Sequence, residues 1–519
     1  MSGRSYNDAI DALNTLQTPH YLIKERQRLG IRPDAGTLRD MESYIRRIGY
    51  TLEDLNRLNI IHVAGTKGKG STCAYVDAIL RRHGAVHGAP RRVGLFTSPH
   101  LIAVRERIRI DGAPISEADF ARAFFEVWDR LEATAPPAPP TPPTPTTTTT
   151  TALHTFEMHG KPLYARYLTL LAFHVFLSTT QPAPLSCAVI ETGVGGAFDA
   201  TNVVPRPLAT GITTLGLDHE AVLGATVEQI AWHKAGIMKP GVPALAVEQP
   251  AAPAAAAVLA ARARERAAPA AIELVSEDAR LAGVRVRPDA PWQRRNASLA
   301  IRLAELALVR LDARFVGPGG DGEVGLSPEF VDGLEKVVWR GRCEVKEEGR
   351  VVWLVDGAHT ADSLQAAASW FVQEAASRTG PKVLIFNQQG RSAAVDFLQG
   401  IHDTVTAAAA DGAAFQHVIF CTNVTYAATG YKRDFVNHLH DPKEVEQMTA
   451  QRAFAERWKA LDPHADVAVV PTIEEAINQV RRLSGALADG GDQTVQAFVT
   501  GSLHLVGGVL GLLDKASAL

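Results

Sequence analysis

The run from His62 to Leu80, HVAGTKGKGSTCAYVDAIL, constrains the fold more than any other part of the chain. It follows the apolar stretch IIHVAG, passes through a loop of glycines and lysines, and continues as STCAYVDAILRRHG, a helix that Gly84 is expected to close. Strand, glycine loop and helix in succession form the unit with which α/β sheets bind phosphate. Loop N–H groups and the positive end of the helix both point at the anion. In the common loop a Ser or Thr directly follows the lysine and holds Mg²⁺. Here Gly70 follows Lys69, and the hydroxyls come later, at Ser71 and Thr72. The loop Gly65, Thr66, Lys67, Gly68, Lys69, Gly70, Ser71 therefore predicts a nucleoside triphosphate, and leaves open which hydroxyl would meet a metal.

The pattern around the loop repeats. RRVGLFTSPH, LSCAVIETGVGG and LATGITTLGLDHE each give a short apolar strand, and helical stretches such as residues 38–60 separate them. Alternating short strands and helices predict a mostly parallel sheet flanked by helices. Ligands of such sheets sit at the carboxyl ends of the strands. Glu191 and His219 both fall at such ends. After a glycine-rich break at 316–325, VVWRGRCEV and VVWLVDGAHT open a second α/β region that runs through KVLIFNQQGR, HVIFCTNV and QAFVTGSLHLVGGVL. The expected architecture is an N-terminal P-loop domain, residues 1–337, followed by a smaller Rossmann-like α/β domain, residues 338–519. Residues 135–151, APPAPPTPPTPTTTTTT, cannot pack a core and read as an extended or disordered insertion. Residues 250–270 read as an Ala-rich helix between prolines.

A chain of 519 residues exceeds one hydrophobic core. Its net charge of -3 argues against a general nucleic-acid binder. Four cysteines, widely spaced and without a C-x-x-C, predict neither a disulfide framework nor a zinc site and fit a reducing compartment. No membrane span is expected, and the N-terminus lacks the apolar core of a secretory signal. Cytoplasm is the expected location, with a mitochondrial isoform available from an upstream start.

Individually, the remaining polar residues are ambiguous. Glu191 at a strand end would need a partner if buried, and a metal ion would supply one. His219 is either structural or a ligand, and Mg²⁺ prefers oxygen. Lys234 in IAWHKAGIMKPG reads as a solvated lysine, Arg342 as a surface charge, and Asp356 with His359 as a turn. Ser502 binds an anion or caps its helix.

Seven ordered stretches bear on these residues together. HVAGTKGKGS, GLFTSPHLIAVRERIRIDG, ETGVGGAFDATN, LDHEAVLGATVEQIAWHKAGIMKPG, WRGRCEV, DGAHT and VTGSLHLVG resemble the folylpolyglutamate synthase family of eukaryotic type, among the Mur ligase-like ATP-dependent amide ligases. Members of that family have a glycine and then a serine after the loop lysine, as here. The resemblance implies that Gly65 to Ser71 hold ATP phosphates. It implies that Ser98, Glu191 and His219, with Lys234 once carbamylated, hold two Mg²⁺ ions. It makes Lys69, Lys234, His219 and Glu191 the catalytic set. It assigns ATP contacts to Asn296, Arg342, Asp356 and His359, substrate contact to Ser502, and a monovalent cation as a further cofactor. One departure is Trp292 in WQRRN, where the family has histidine. The implied activity is addition of L-glutamate to the γ-carboxylate of tetrahydrofolate or its polyglutamates through an acyl phosphate. The second domain is expected to close over ATP and bring the glutamate. The partners are those substrates alone, and the enzyme is expected to be a monomer. A bifunctional enzyme that also makes dihydrofolate from dihydropteroate is the alternative. A non-enzymatic nucleotide binder would be expected to lack metal or acyl-phosphate residues, and none of the set is missing.

Overall fold

The computed structural model describes residues 3–135, 157–158, 160–266, 272–317, 325–389, 394–409, 414–428, 433–435, 442–487 and 492–519. The Pro/Thr tract expected at 135–151 lies outside the described residues except for Ala135, and so does most of the glycine-rich break at 316–325. The chain divides into two compact units. One comprises Met1–Ser98 and Arg105–Val338, the other Pro99–Val104 and Trp339–Leu519.

The first unit is built on an eight-stranded sheet of β1 (Ile61–Ala64), β2 (Val93–Phe96), β3 (Ile108–Ile110), β4 (Ala113–Pro114), β7 (Cys187–Glu191), β8 (Ala209–Ile212), β9 (Ala244–Val247) and β10 (Glu273–Val275). Two further strands, β5 (Glu157–Met158) and β6 (Lys161–Pro162), form their own antiparallel ladder. The order across the main sheet is β10-β9-β8-β1-β7-β2-β3-β4. All pairings are parallel except β2 with β3 and β3 with β4. Every residue of β1, β2, β7, β8 and β9 is buried. Parallel strands covered on both faces need continuous apolar runs, and sequences such as VGLF and ALAV meet that need where a period-2 pattern would not.

The helix Lys69–His87 leaves the end of β1 and packs against the helices Pro291–Leu311 and Pro328–Glu335. It does not stop at Gly84. It ends at Gly88, which is left-handed (φ +79°) and returns its N–H to the Gly84 carbonyl at 2.8 Å. Gly84 is glycine for a different reason: a Cβ there would lie 2.0 Å from the Pro90 oxygen. The Ala-rich stretch forms the helix Pro253–Glu265, with proline in its first turn.

The second unit holds a six-stranded sheet in the order β11-β12-β16-β13-β14-β15, with β11 (Glu344–Glu348), β12 (Val351–Val355), β13 (Lys382–Phe386), β14 (His417–Cys421), β15 (Asp466–Val470) and β16 (Val495–Thr500). Only β11 runs antiparallel. Alternation along β12 feeds two cores. Val352 and Leu354 join Phe371, Phe386, Phe420 and Trp458 on one face, while Val351, Trp353 and Val355 join Ile385, Val499 and Leu505 on the other. Leu101 and Ile102 belong to the second of these cores, which is how Pro99–Val104 come to group with this unit.

Candidate active site

In the first unit the site begins where β1 ends. Gly65 (φ +153°) lies so close to Thr213 that a Cβ would come within 1.7 Å of its Oγ1. Thr66 and Lys67 turn their N–H groups onto the Thr214 carbonyl at 2.9 and 3.1 Å. The Thr66 hydroxyl bonds the backbone of Gly216, and the Lys67 ammonium bonds Asp218 at 3.2 Å. These three residues are therefore fixed against the segment after β8. What the loop offers an anion starts at Gly68. Gly68 caps the 19-residue helix in a left-handed conformation (φ +88°) with no side-chain cap, so the N–H groups of Lys69, Gly70 and Ser71 have no partner from a capping side chain. A Cβ at Gly68 would meet Asn296 Oδ1 at 2.1 Å, which seats Asn296 directly against the loop. Asn296 is itself oriented by a bond from its amide nitrogen to Gln293 Oε1 at 2.9 Å.

Register places Glu191 beside Val63 in the sheet, at the carboxyl end of β7. The residue is 4 % exposed. One oxygen accepts the Ser98 N–H at 3.0 Å, and the other lies 4.0 Å from the Lys69 ammonium. Ser98, Glu191 and Lys69 are thus brought together although 93 and 122 residues separate Glu191 from the other two in the chain. His219 follows Asp218, whose Oδ1 accepts the His219 N–H at 3.0 Å. His219 has φ +54°, a left-handed backbone that is unusual for a non-glycine residue and clusters at functional positions. Its carbonyl starts the short helix Glu220–Leu223.

Lys234 ends the helix Val227–Lys234. It is not a solvated lysine: it is 3 % exposed, and its ammonium donates to the Gly65 carbonyl at 2.6 Å. Burial, reinforced by the nearby charges of Lys69 and Lys67, holds its pKa well below that of an ordinary lysine.

In the second unit Asp356 follows β12. Its carboxylate accepts N–H bonds from Cys343 and Ala358, both at 2.8 Å. Arg342 packs over Gly357, where a Cβ would touch its Nη1 at 2.8 Å. His359 Nδ1 bonds the Gly357 oxygen at 2.9 Å. The Gly501 N–H bonds the Ala358 carbonyl at 3.0 Å, which brings the start of the Leu503–Asp514 helix to the DGAHT turn. Ser502 caps that helix, accepting from the His504 N–H.

Several residues that shape the site were not singled out from sequence. Asp218 had its signal in being adjacent to His219, and Gln293 in preceding Asn296 by one helical turn. Asp199 and Asn202 lie inside the ETGVGGAFDATN stretch, where the strand-end position marks only the glutamate. Thr213 and Thr214 had no signal, because their role is to receive a loop from another part of the chain.

No family model matches the chain. A folylpolyglutamate synthase of Neurospora crassa is 60% identical to it over 520 residues, covering 100% of this chain and 93% of that protein. One from Saccharomyces cerevisiae is 39% identical over 517 residues, covering 99% and 88%. Among solved structures, Mycobacterium tuberculosis folylpolyglutamate synthase complexed with ADP aligns with a TM-score of 0.66 at 23% identity, over 98% of this chain and 100% of that one. At that identity the structural likeness speaks for the two-unit α/β fold.

Proposed function

The chain belongs to the folylpolyglutamate synthase family, and from that premise we infer that it is an ATP-dependent ligase that joins L-glutamate to the γ-carboxylate of tetrahydrofolate or its polyglutamates. The observation that carries the assignment to this site is Lys69. It opens an uncapped helix with its ammonium 4.0 Å from the buried Glu191. A phosphate placed at that helix end meets N–H donors and a cation at once.

The γ-carboxylate is a poor acyl donor because oxide is a poor leaving group. Its oxygen attacks the γ-phosphorus of ATP, ADP departs, and an acyl phosphate forms. The glutamate amine then attacks the acyl carbon, inorganic phosphate leaves, and the amine proton passes to solvent or phosphate. Lys69 and the N–H groups of Lys69, Gly70 and Ser71 hold the phosphate chain and offset charge on the transferring group. Asn296 lines the loop for the nucleotide. Arg342, Asp356 and His359 are the ATP contacts assigned to the second unit, and Ser502 the substrate contact.

Among the described residues, no three His, Cys, Asp or Glu side chains converge as a ready-made metal cage. That suits Mg²⁺, which binds through one or two carboxylates plus phosphate oxygens and water. Glu191, the Ser98 hydroxyl and His219 would hold two such ions, and Lys234, once carbamylated, would add oxygens in place of a positive charge. When bound, Mg²⁺ supplies charge neutralisation along the phosphates. Burial of Lys234 with a depressed pKa supports this part, because only the neutral amine adds to CO₂.

Incubation with tetrahydrofolate, ATP and labelled glutamate tests the reading. Elongated folate and ADP in equal amounts support it, and ATP turnover without folate elongation refutes it. Dihydropteroate as acceptor, in parallel, tests for the bifunctional alternative.

A further inference from the structure

The loop between Glu191 and Val204 is bonded internally far more than a surface connection requires. The Asp199 carboxylate accepts the N–H groups of Gly193 and Val194 at 3.0 and 3.1 Å on one oxygen. It accepts the Thr201 N–H and hydroxyl at 3.0 and 2.6 Å on the other. The Thr201 hydroxyl gives its one proton to Asp199, so the 2.8 Å bond with His62 Nε2 has histidine as donor. His62 is a fully buried residue of β1.

Asn202 extends this network to Lys234. It is 2 % exposed, and its amide nitrogen donates both hydrogens at 3.0 Å, one to the Ala197 carbonyl and one to the Gly236 carbonyl. Gly236 lies two residues past Lys234. The Ala197 N–H in turn bonds the His233 carbonyl at 2.7 Å. Contact here is so close that a Cβ at Gly236 would lie 2.3 Å from Ala197. The Asn202 Oδ1, by contrast, is buried and has no hydrogen-bond partner among the described residues. Burying an unpaired oxygen is costly, and a side chain that accepts this cost for its two N–H donors is placed for those donors.

The bonds close a circuit. β1 holds Thr201 through His62, and Thr201 with Asp199 holds the backbone just past Glu191. Asn202 holds the backbone just past Lys234, and Lys234 returns to the Gly65 carbonyl at the end of β1. We propose that Asn202 is the positioning residue for Lys234, fixing the chain that carries it against the loop that follows Glu191. Asparagine suits the place because it forks two donors onto two carbonyls. Aspartate would set a carboxylate against both, and an apolar residue would leave both unbonded.

This inference rests on the reading that Lys234 takes part in the reaction, and a double-mutant cycle separates the two. The parent, Asn202→Ala, Lys234→Ala and the double variant are compared by labelled-glutamate incorporation. Asn202→Ala is expected to lower kcat by about 10-fold or more with the ATP KM within about twofold, because geometry and not ATP affinity is lost. In the Lys234→Ala background the same change should cost nothing further. Hydrogen exchange of 235–238 in the ligand-free protein should quicken in Asn202→Ala. Asn202→Ser, which keeps one donor, should be intermediate and serves if the alanine variant does not fold. An equal fold-loss in both backgrounds overturns the inference, as does a normal kcat in a folded Asn202→Ala protein. A normal kcat in Lys234→Ala overturns the reading of Lys234 itself.

Discussion

The Lys234 ammonium and the Gly65 carbonyl, 169 residues apart, meet at 2.6 Å in the interior of the first unit. The bond ties the lysine to the loop expected to carry ATP phosphates, and burial beside Lys69 and Lys67 disfavours its charge. The proposed carbamate would replace that disfavoured positive charge with a negative one. Activity should therefore fall when bicarbonate and CO₂ are removed, and return when they are added. It should rise with pH as the buried amine loses its proton, since the depressed pKa leaves more neutral amine than an exposed lysine would have. Lys234→Ala should lose activity, with partial recovery in acetate, and Lys234→Glu should retain more than Lys234→Ala. A carbamate resonance from ¹³C-bicarbonate, absent in Lys234→Ala, would identify the adduct directly.

Lys69→Ala should reduce turnover by roughly 100-fold or more, the range for removing one preorganised charge from a transferring group. The fold should survive, because the side chain meets Glu191 only at 4.0 Å. Thermal unfolding close to that of the parent, together with unchanged folate binding, would place the loss in the chemistry.

Gly68→Ala tests the loop by shape. Alanine at φ +88° is strained, and its Cβ would displace Asn296 from 2.1 Å. Asn296 would have to move away from the loop and from Gln293 Oε1. The expected result is a raised KM for ATP with a smaller effect on the KM for glutamate, measured by varying one substrate at a time.

His219→Gly separates backbone from side chain. Glycine adopts φ +54° without strain, so stability should stay within about 1 kcal/mol of the parent. Turnover should nevertheless collapse and the Mg²⁺ requirement should rise if the imidazole is used. A stable variant with unaltered Mg²⁺ dependence would count against His219 as a ligand.

What could be read in the sequence was whatever a local pattern dictates. The IHVAG strand, its glycine loop and the helix after it form one contiguous unit, and the strand end that carries Glu191 follows from a short apolar run, whereas His219 is exposed and lies beyond the end of β8 at Ile212. Contacts that fall outside a local period left no such mark. The Gly84 pattern read as a helix stop, but that glycine answers to the Pro90 carbonyl, across a turn that periodicity does not describe. Nothing local distinguishes Leu101 and Ile102 from any apolar pair, and which core they enter depends on the whole second sheet. Lys234 read alone was a solvated residue. Its burial depends on Gly65 and on the Asp199–Asn202 loop, and only the family resemblance pointed to it beforehand.

His62 makes the last prediction, on stability against pH. It is completely buried in β1, and burial lowers its pKa from the ordinary 6.5 to about 3. The folded state therefore keeps this imidazole neutral where the unfolded chain would protonate it. A histidine depressed in this way contributes its full stability above pH 6.5, and that stability drains away as pH falls from 6.5 towards 3. Between pH 7 and pH 5 protonation of this position in the unfolded state rises from about one quarter to nearly complete, so the loss should be about 2 kcal/mol. His62→Gln cannot titrate. Its stability at pH 7 should be lower, because the bond to Thr201 is altered, but its slope against pH should be flatter by about that amount. Urea unfolding of both proteins at pH 5, 6 and 7 reads the difference in slopes. Parallel slopes would mean that His62 does not stay neutral in the folded protein and that its Nδ1 also carries a proton.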